Sequence, residues 1–172
     1  IPKKNISGIT ESMNGNFVGI GISFQIRKDT ISIIKIIPGG PSEYSGLKSG
    51  DKILLADRDT LYGEGITNEI IISKLKGELN SKVRLKLYRA SEDKLFSITI
   101  SRGTVPIKSV PISYMINDNL GFIKINRFAE TTYQEFKNEL LKLKSKGMQS
   151  LILDLRGNPG GFLERAQEVV DE

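Results

Sequence analysis

The hydrophobic rhythm of this 172-residue chain changes once, near Gly103, and that change limits it to a two-part fold. Before Gly103, short apolar segments alternate with polar residues between turns marked by glycine and proline. The clearest is Lys82 to Arg89, where Lys82, Arg84 and Lys86 interleave with Val83, Leu85 and Leu87. A strand with one wet and one buried face reads in this way. After Gly103 the pattern predicts strands at 120–125 and 151–155, the second a nearly continuous apolar and therefore buried one. Helical periods follow each, at 131–146 and 162–170. Strand and helix in alternation make a parallel α/β unit.

Residues 1–16 are polar and aperiodic, with Ser12, Asn14, Gly15 and Asn16 marking a flexible lead-in. Residues 17–103 form a β-rich domain with two helices. Its strands are expected at 17–26 (interrupted by Gly19 and Gly21), 31–37, 52–56, 82–89 and 95–102, its helices at 41–44 and 67–76. Residues 104–172 make the α/β part. Within it, Thr132 and Glu135 have capping-box spacing, Tyr133, Phe136, Leu140 and Leu143 share one helical face, and Gly147 ends the helix. The chain opens at Ile1 and closes at Glu172 inside a helical pattern, as a piece of a longer protein would.

The sequence has no cysteine and no histidine. Disulfides, thiolate nucleophiles, Ser-His-Asp triads and ordinary zinc or histidine metal sites are therefore excluded within it. Serine chemistry would need another base, with lysine the obvious candidate. The net charge of +5 arises in residues 1–103, where 16 basic face 11 acidic side chains against nine of each afterwards. No aromatic residues interleave with the basic stripe at 82–86, so it reads as a solvated face and no nucleic-acid partner is expected. Apolar runs fall far short of the roughly 18 residues of a membrane span. Asp57, Asp59 and Glu64 lack the spacing of a calcium loop, and no dinucleotide fingerprint is present, so neither metal nor cofactor is expected.

Three stretches carry candidate chemistry. In Gly19-Ile20-Gly21-Ile22, glycines on either side of an isoleucine let backbone N–H groups converge as a nest for a carboxylate. A peptide could pair with the strand that follows, its last side chain dropping against Ile22, Ile71 and Leu75. The alternative is a glycine-relieved bend in a strand. The second stretch runs from Gly39-Gly40-Pro41-Ser42 through Gly46-Leu47 to Gly50-Asp51-Lys52-Ile53 and by itself says turn, short helix, turn, strand. The third, Leu151-Ile152-Leu153-Asp154-Leu155-Arg156-Gly157-Asn158-Pro159-Gly160-Gly161, delivers the end of a strand to a glycine loop before a helix. Unpaired N–H groups there favour an anion, and could form an oxyanion hole. A plain structural turn fits the same residues. Asp154 reads as a local hydrogen-bond acceptor or partner of a nearby arginine.

The second stretch resembles the G-S-P-A-x-x-A-G-L-x-x-G-D-x-I signature of PDZ domains of bacterial proteases. The third resembles the L-D-L-R-x-N-x-G-G signature of carboxyl-terminal processing proteases, the S41-type serine peptidases. Residues 120–125 with Phe128 are similar to the strand that opens that family's catalytic core. The resemblance implies an α+β chain: a PDZ domain followed by a partial α/β crotonase/ClpP-like protease domain. It further implies a serine endopeptidase with a lysine base, no cofactor, and protein substrates bound through their C-terminal tails. By it, Gly160 and Gly161 are the oxyanion loop, and Gly19, Ile20, Gly21 and Ile22 the carboxylate loop and pairing strand. A periplasmic or cell-envelope location and self-assembly into a homo-oligomer are expectations of the same kind. The family's serine and lysine lie beyond the glycine loop and have no match here, so this chain is expected to be inactive by itself. A non-catalytic PDZ peptide-binding or scaffold protein is the alternative, and an acyl-thioester-binding relative of the crotonase-like fold is another.

Overall fold

The computed structural model describes residues 3–172. Two compact units divide it: Phe17–Pro106, and the segment up to Asn16 together with Ile107–Glu172. The expected flexible lead-in is instead a helix, α1 (Lys3–Asn14), apart from residues 1 and 2, which lie outside the described residues. Distant partners hold its C-terminal end. Arg127 donates to the Ser12 hydroxyl, the Glu130 N–H to Met13 O at 2.9 Å, and the Ile107 N–H to Gly15 O at 2.8 Å. Gly15 ends the helix at φ 72°, where a Cβ would stand 2.7 Å from the Thr131 hydroxyl.

The β-rich unit contains β1 (Asn16–Gly19), β2 (Ile22–Arg27), β3 (Thr30–Ile36), β4 (Lys52–Ala56), β5 (Asp59–Thr60), α2 (Asn68–Leu75), β6 (Lys82–Arg89), β7 (Lys94–Ser101) and β8 (Gly103–Pro106). Its main sheet has the order β2-β3-β4-β6-β7 with β5 on β4, while β1 pairs with β8. The alternation in β6 is realised: Val83, Leu85 and Leu87 are fully enclosed and Lys82, Arg84 and Lys86 exposed. Ile31, Ile33, Ile53, Leu61 and Ile71 complete the centre of this core, each worth roughly 2–3 kcal/mol of burial.

The short helix expected at 41–44 is absent. Two successive turns take its place, with Glu43 N–H on Gly40 O at 3.1 Å and Ser45 N–H on Ser42 O at 3.2 Å. A helical ladder does not form because Ser42 turns both its donors to Ile20 O, the N–H at 3.0 Å and the hydroxyl at 2.5 Å. Asp51, in the glycine–aspartate step of the second motif, anchors the loop that follows. It grips Arg89 through both carboxylate oxygens at 2.7 and 2.8 Å and accepts the Lys48 N–H at 2.9 Å.

The second unit adds β9 (Ile112–Met115), β10 (Leu120–Lys124), α3 (Thr132–Lys144), β11 (Ser150–Asp154) and α4 (Leu163–Val170). β10 runs parallel to β11, in register from Leu120↔Ser150 to Lys124↔Asp154, and antiparallel to β9. Val110, Ile123, Ile125, Phe136, Leu140, Leu143 and Val169 form its core.

Two expectations fail here for tertiary reasons. β11 is not a buried strand: Ile152 is 45% and Leu153 36% exposed, because β11 stands at the sheet edge among the described residues. The capping box also does not form, since Glu135 has other donors to satisfy. One of its oxygens takes the Ser109 and Val110 N–H groups at 2.9 and 3.0 Å and the other the Thr131 hydroxyl at 2.7 Å.

Candidate functional site

Each unit carries one of the glycine-flanked amide clusters. In the β-rich unit, Gly21 sits at φ 78°, and a Cβ there would lie 3.1 Å from Gly40 Cα. Only glycine meets both conditions without strain. The neighbouring carbonyls are tied inward: Ile20 O accepts both Ser42 donors, and Gly21 O accepts the Ile37 N–H at 2.9 Å. Through Ser42, the second sequence motif thus serves the first by holding the Ile20 carbonyl. Neither the Ile20 nor the Gly21 N–H has a partner among the described residues, although both residues are buried.

Strand register opens a third donor. The Ile37–Gly21 bond flanks the Ile22↔Ile36 pair, which makes Ile22 a non-hydrogen-bonded position of this antiparallel ladder. Its own N–H and C=O therefore face the free edge of β2, the outermost strand of the sheet. Gly19, Ile20, Gly21 and Ile22 are accordingly brought together as a bend leading into an edge strand.

The apolar wall expected beside this bend is present but closed. Ile22, Ile71 and Leu75 are 9%, 0% and 5% exposed and belong, with Ile20, to the core. The apolar residues that α2 presents to solvent are Ile70 and Ile72. Arg102 fixes the end of α2 by donating to Lys74 O at 2.8 Å and Leu75 O at 3.2 Å. Just beyond, the Lys76 ammonium lies 4.6 Å from the Phe17 ring centroid, and the Lys76 stem borders Gly19. Sequence reading missed Arg102 and Lys76, both distant from the glycines along the chain.

In the second unit, β11 ends at Asp154, whose carboxylate accepts the Arg156 Nε, terminal guanidinium and backbone N–H, all at 2.9 Å. Lys124 adds a contact at 3.4 Å and also donates to Arg156 O at 2.9 Å. The Arg156 side chain first, then its backbone N–H, hold the Asp154 carboxyl well below the usual carboxylate range. Asp154 is therefore a charged anchor for the strand exit near neutral pH and unsuited to act as a base. Burial would raise the Asp51 carboxyl, but the Arg89 fork and the Lys48 N–H outweigh it and keep that group lowered too.

The loop that follows joins Phe128 by a parallel bridge: the Phe128 N–H donates to Gly160 O at 3.0 Å and the Phe162 N–H to Phe128 O at 2.7 Å. Gly161, at φ 149°, passes so close that a Cβ would meet Phe128 O at 2.1 Å. Gly160 and Gly161 are not equivalent. The Gly160 N–H is taken by Asn158 Oδ1 at 2.7 Å, whereas the Gly161 N–H has no partner among the described residues. A cavity of about 550 Å³ borders both glycines, its other lining coming from Gly8, Ile9, Ser12 and Met13 of α1, with Arg127 and Pro159. No helix among the described residues is long and apolar enough to cross a membrane.

Residues 18–100 match the PDZ domain family, and residues 119–172 match peptidase family S41. The chain is 35% identical to the carboxy-terminal processing protease CtpA of Bacillus subtilis over 156 residues, 91% of this chain and 33% of that protein. It is 31% identical to a probable CtpA-like serine protease of Staphylococcus aureus over 171 residues, 99% of this chain and again 33% of the relative. The chain thus spans about a third of the length of the curated relatives it matches. Among solved structures, the photosystem II D1 C-terminal processing protease shares the fold at a TM-score of 0.56 and 21% identity, over 96% of this chain and 46% of that one.

Proposed function

We propose that this chain, a PDZ domain followed by the leading part of a family S41 peptidase domain, is the front portion of a carboxyl-terminal processing serine endopeptidase. The PDZ domain takes the C-terminal tail of a protein substrate. Its carboxylate lies on the N–H groups of Ile20, Gly21 and Ile22, and the tail adds as a strand to the edge of β2. Ile22, Ile71 and Leu75 receive the last side chain once α2 eases away from β2, so an apolar terminus is preferred. The loop at Gly160 and Gly161 lends an N–H to the oxyanion of the acyl-transfer step. A serine attacks the peptide carbonyl and a lysine, deprotonated by burial, accepts the serine proton, both from outside these residues. A periplasmic or cell-envelope setting and assembly into a homo-oligomer belong to the same reading.

The observation that carries this reading is the set of three adjacent amides without partners among the described residues, beside carbonyls that are firmly held. Peptides ending in an apolar residue with a free carboxylate should bind the 172-residue chain at least ~10-fold more tightly than their C-terminal amides, about 1.4 kcal/mol. Equal binding of the two forms would remove the carboxylate site. One observation favours a non-catalytic scaffold instead: the Gly160 amide is already engaged by Asn158. Hydrolysis by the full-length protein, and none by this chain alone, separates the endopeptidase from the scaffold.

A further inference from the structure

The glycine loop offers its two amides unequally, and the residue responsible is Asn158. Its Oδ1 accepts the Gly160 N–H at 2.7 Å, and its Nδ2 donates to Ile125 O at 3.2 Å, just past the end of β10. One planar side-chain amide therefore ties the loop both to itself and to the sheet. The Phe128 bridge completes the hold by fixing Gly160 O and the Phe162 N–H. In a parallel bridge of this kind the central residue, Gly161, turns its own N–H and C=O away from the partner segment. With Gly160 engaged and Gly161 free, only one of the two adjacent glycines presents a donor, and at a fixed place.

We propose that Asn158 is a positioning residue for the peptidase reaction: by occupying the Gly160 amide and tethering the loop to Ile125, it makes the Gly161 N–H the loop's donor to the developing oxyanion. The inference rests on the endopeptidase reading above. Two candidate donors become one, and Gly160 acts through its engagement rather than through contact with substrate. The arrangement is pre-set, because neither bond of Asn158 depends on substrate being present.

Two measurements test this, and their failures differ. In the 172-residue chain, amide hydrogen exchange should show Gly160 protected and Gly161 fast. Asn158→Ala should raise the Gly160 rate at least tenfold and leave Gly161 fast. In the full-length protein, Asn158→Ala should lower kcat on the order of 10²-fold, as loss of an aligned oxyanion donor does, with KM within about threefold. Asn158→Asp keeps the acceptor for Gly160 but, when ionised, sets a charge against Ile125 O. Its kcat relative to the parent should rise as pH falls toward the new carboxyl's pKa of about 4, where the acid form restores both donor and acceptor. That pH signature would not accompany a role in stability alone. Gly160 exchanging as fast as Gly161 in the parent chain, an unchanged kcat in Asn158→Ala, or a pH-independent Asn158→Asp ratio would each overturn the proposal. If the full-length protein hydrolyses no peptide, the endopeptidase reading falls and the exchange data alone decide whether Asn158 sets the loop.

Discussion

The two amide clusters obey the same glycine logic but differ in how many donors they leave open. At Ile20–Ile22 both carbonyls of the bend are tied inward, and three successive N–H groups are without partners among the described residues. At Gly160–Gly161, one of the two glycine amides next to the helix is already bonded, and the other has no partner among the described residues. The difference suits the charges each would meet. A carboxylate is a permanent anion with two oxygens and several lone pairs, so it is held best by several donors at once. An oxyanion exists only in passing on a single oxygen, and is helped most by a few donors at fixed positions.

The anchors beneath the clusters differ as well. Asp51 and Arg89 are both enclosed, at 1% and 12% side-chain exposure, while Arg156, at 85%, leaves Asp154 to share its charge with solvent-facing partners. The largest effect should therefore come from Arg89→Ala, which strands the Asp51 charge and costs about 3–5 kcal/mol, read as a lower urea midpoint. A loss below ~1 kcal/mol, the range of a surface pair, would erase the contrast between the anchors. Gly161→Ala should follow, destabilising the second unit on the order of 3 kcal/mol because its Cβ cannot clear Phe128 O. Retention of the parent melting temperature would mean that the Phe128 bridge does not set the loop.

Acid probes both anchors together. The carboxyls of Asp51 and Asp154 lie below their usual values in the folded chain, so each contributes stability that is complete above pH ~4. That contribution is lost as pH falls through the lowered native values. Melting temperatures measured from pH 5 to 2 should drop, and Asp154→Asn should flatten part of the slope; an unchanged slope in that variant would deny the charged anchor. The smallest effect belongs to Arg156→Ala, a shift in urea midpoint no more than roughly a quarter of that of Arg89→Ala, since the lost pair is open to solvent and Lys124 remains on Asp154. A loss as large as that of Arg89→Ala would place the two anchors in one class.

Local pattern was enough for much of this molecule. Period two marks β6 to the residue, because each of its side chains answers to only two environments, wet or buried. The single apolar face of α3 places Phe136, Leu140 and Leu143 in the core in the same way. Other features have no local signature. The end of α1 is held by Arg127 and Glu130, far along the chain, while its polar sequence with an internal glycine reads locally as a lead-in. Ile71 and Leu75 lie where an apolar helix face predicts, yet whether that face lines an open groove or a closed core is decided by how α2 meets β2. The Asn158 tie had a usable signal, the Asn-x-Gly spacing of a side chain that bonds the backbone two residues on.

Composition and spacing alone determined which faces of β6 and α3 hide from water, which chemistries the absence of cysteine and histidine forbids, and where glycine lets the backbone bend. Those are properties of single residues and their near neighbours. Which amides remain open was settled only when Ser42 and Ile37 reached the carbonyls of Ile20 and Gly21, and when Phe128 and Ile125 fixed the loop around Gly160. A hydrogen bond needs both partners within about 3 Å, and for residues far apart in sequence only the folded chain supplies that proximity.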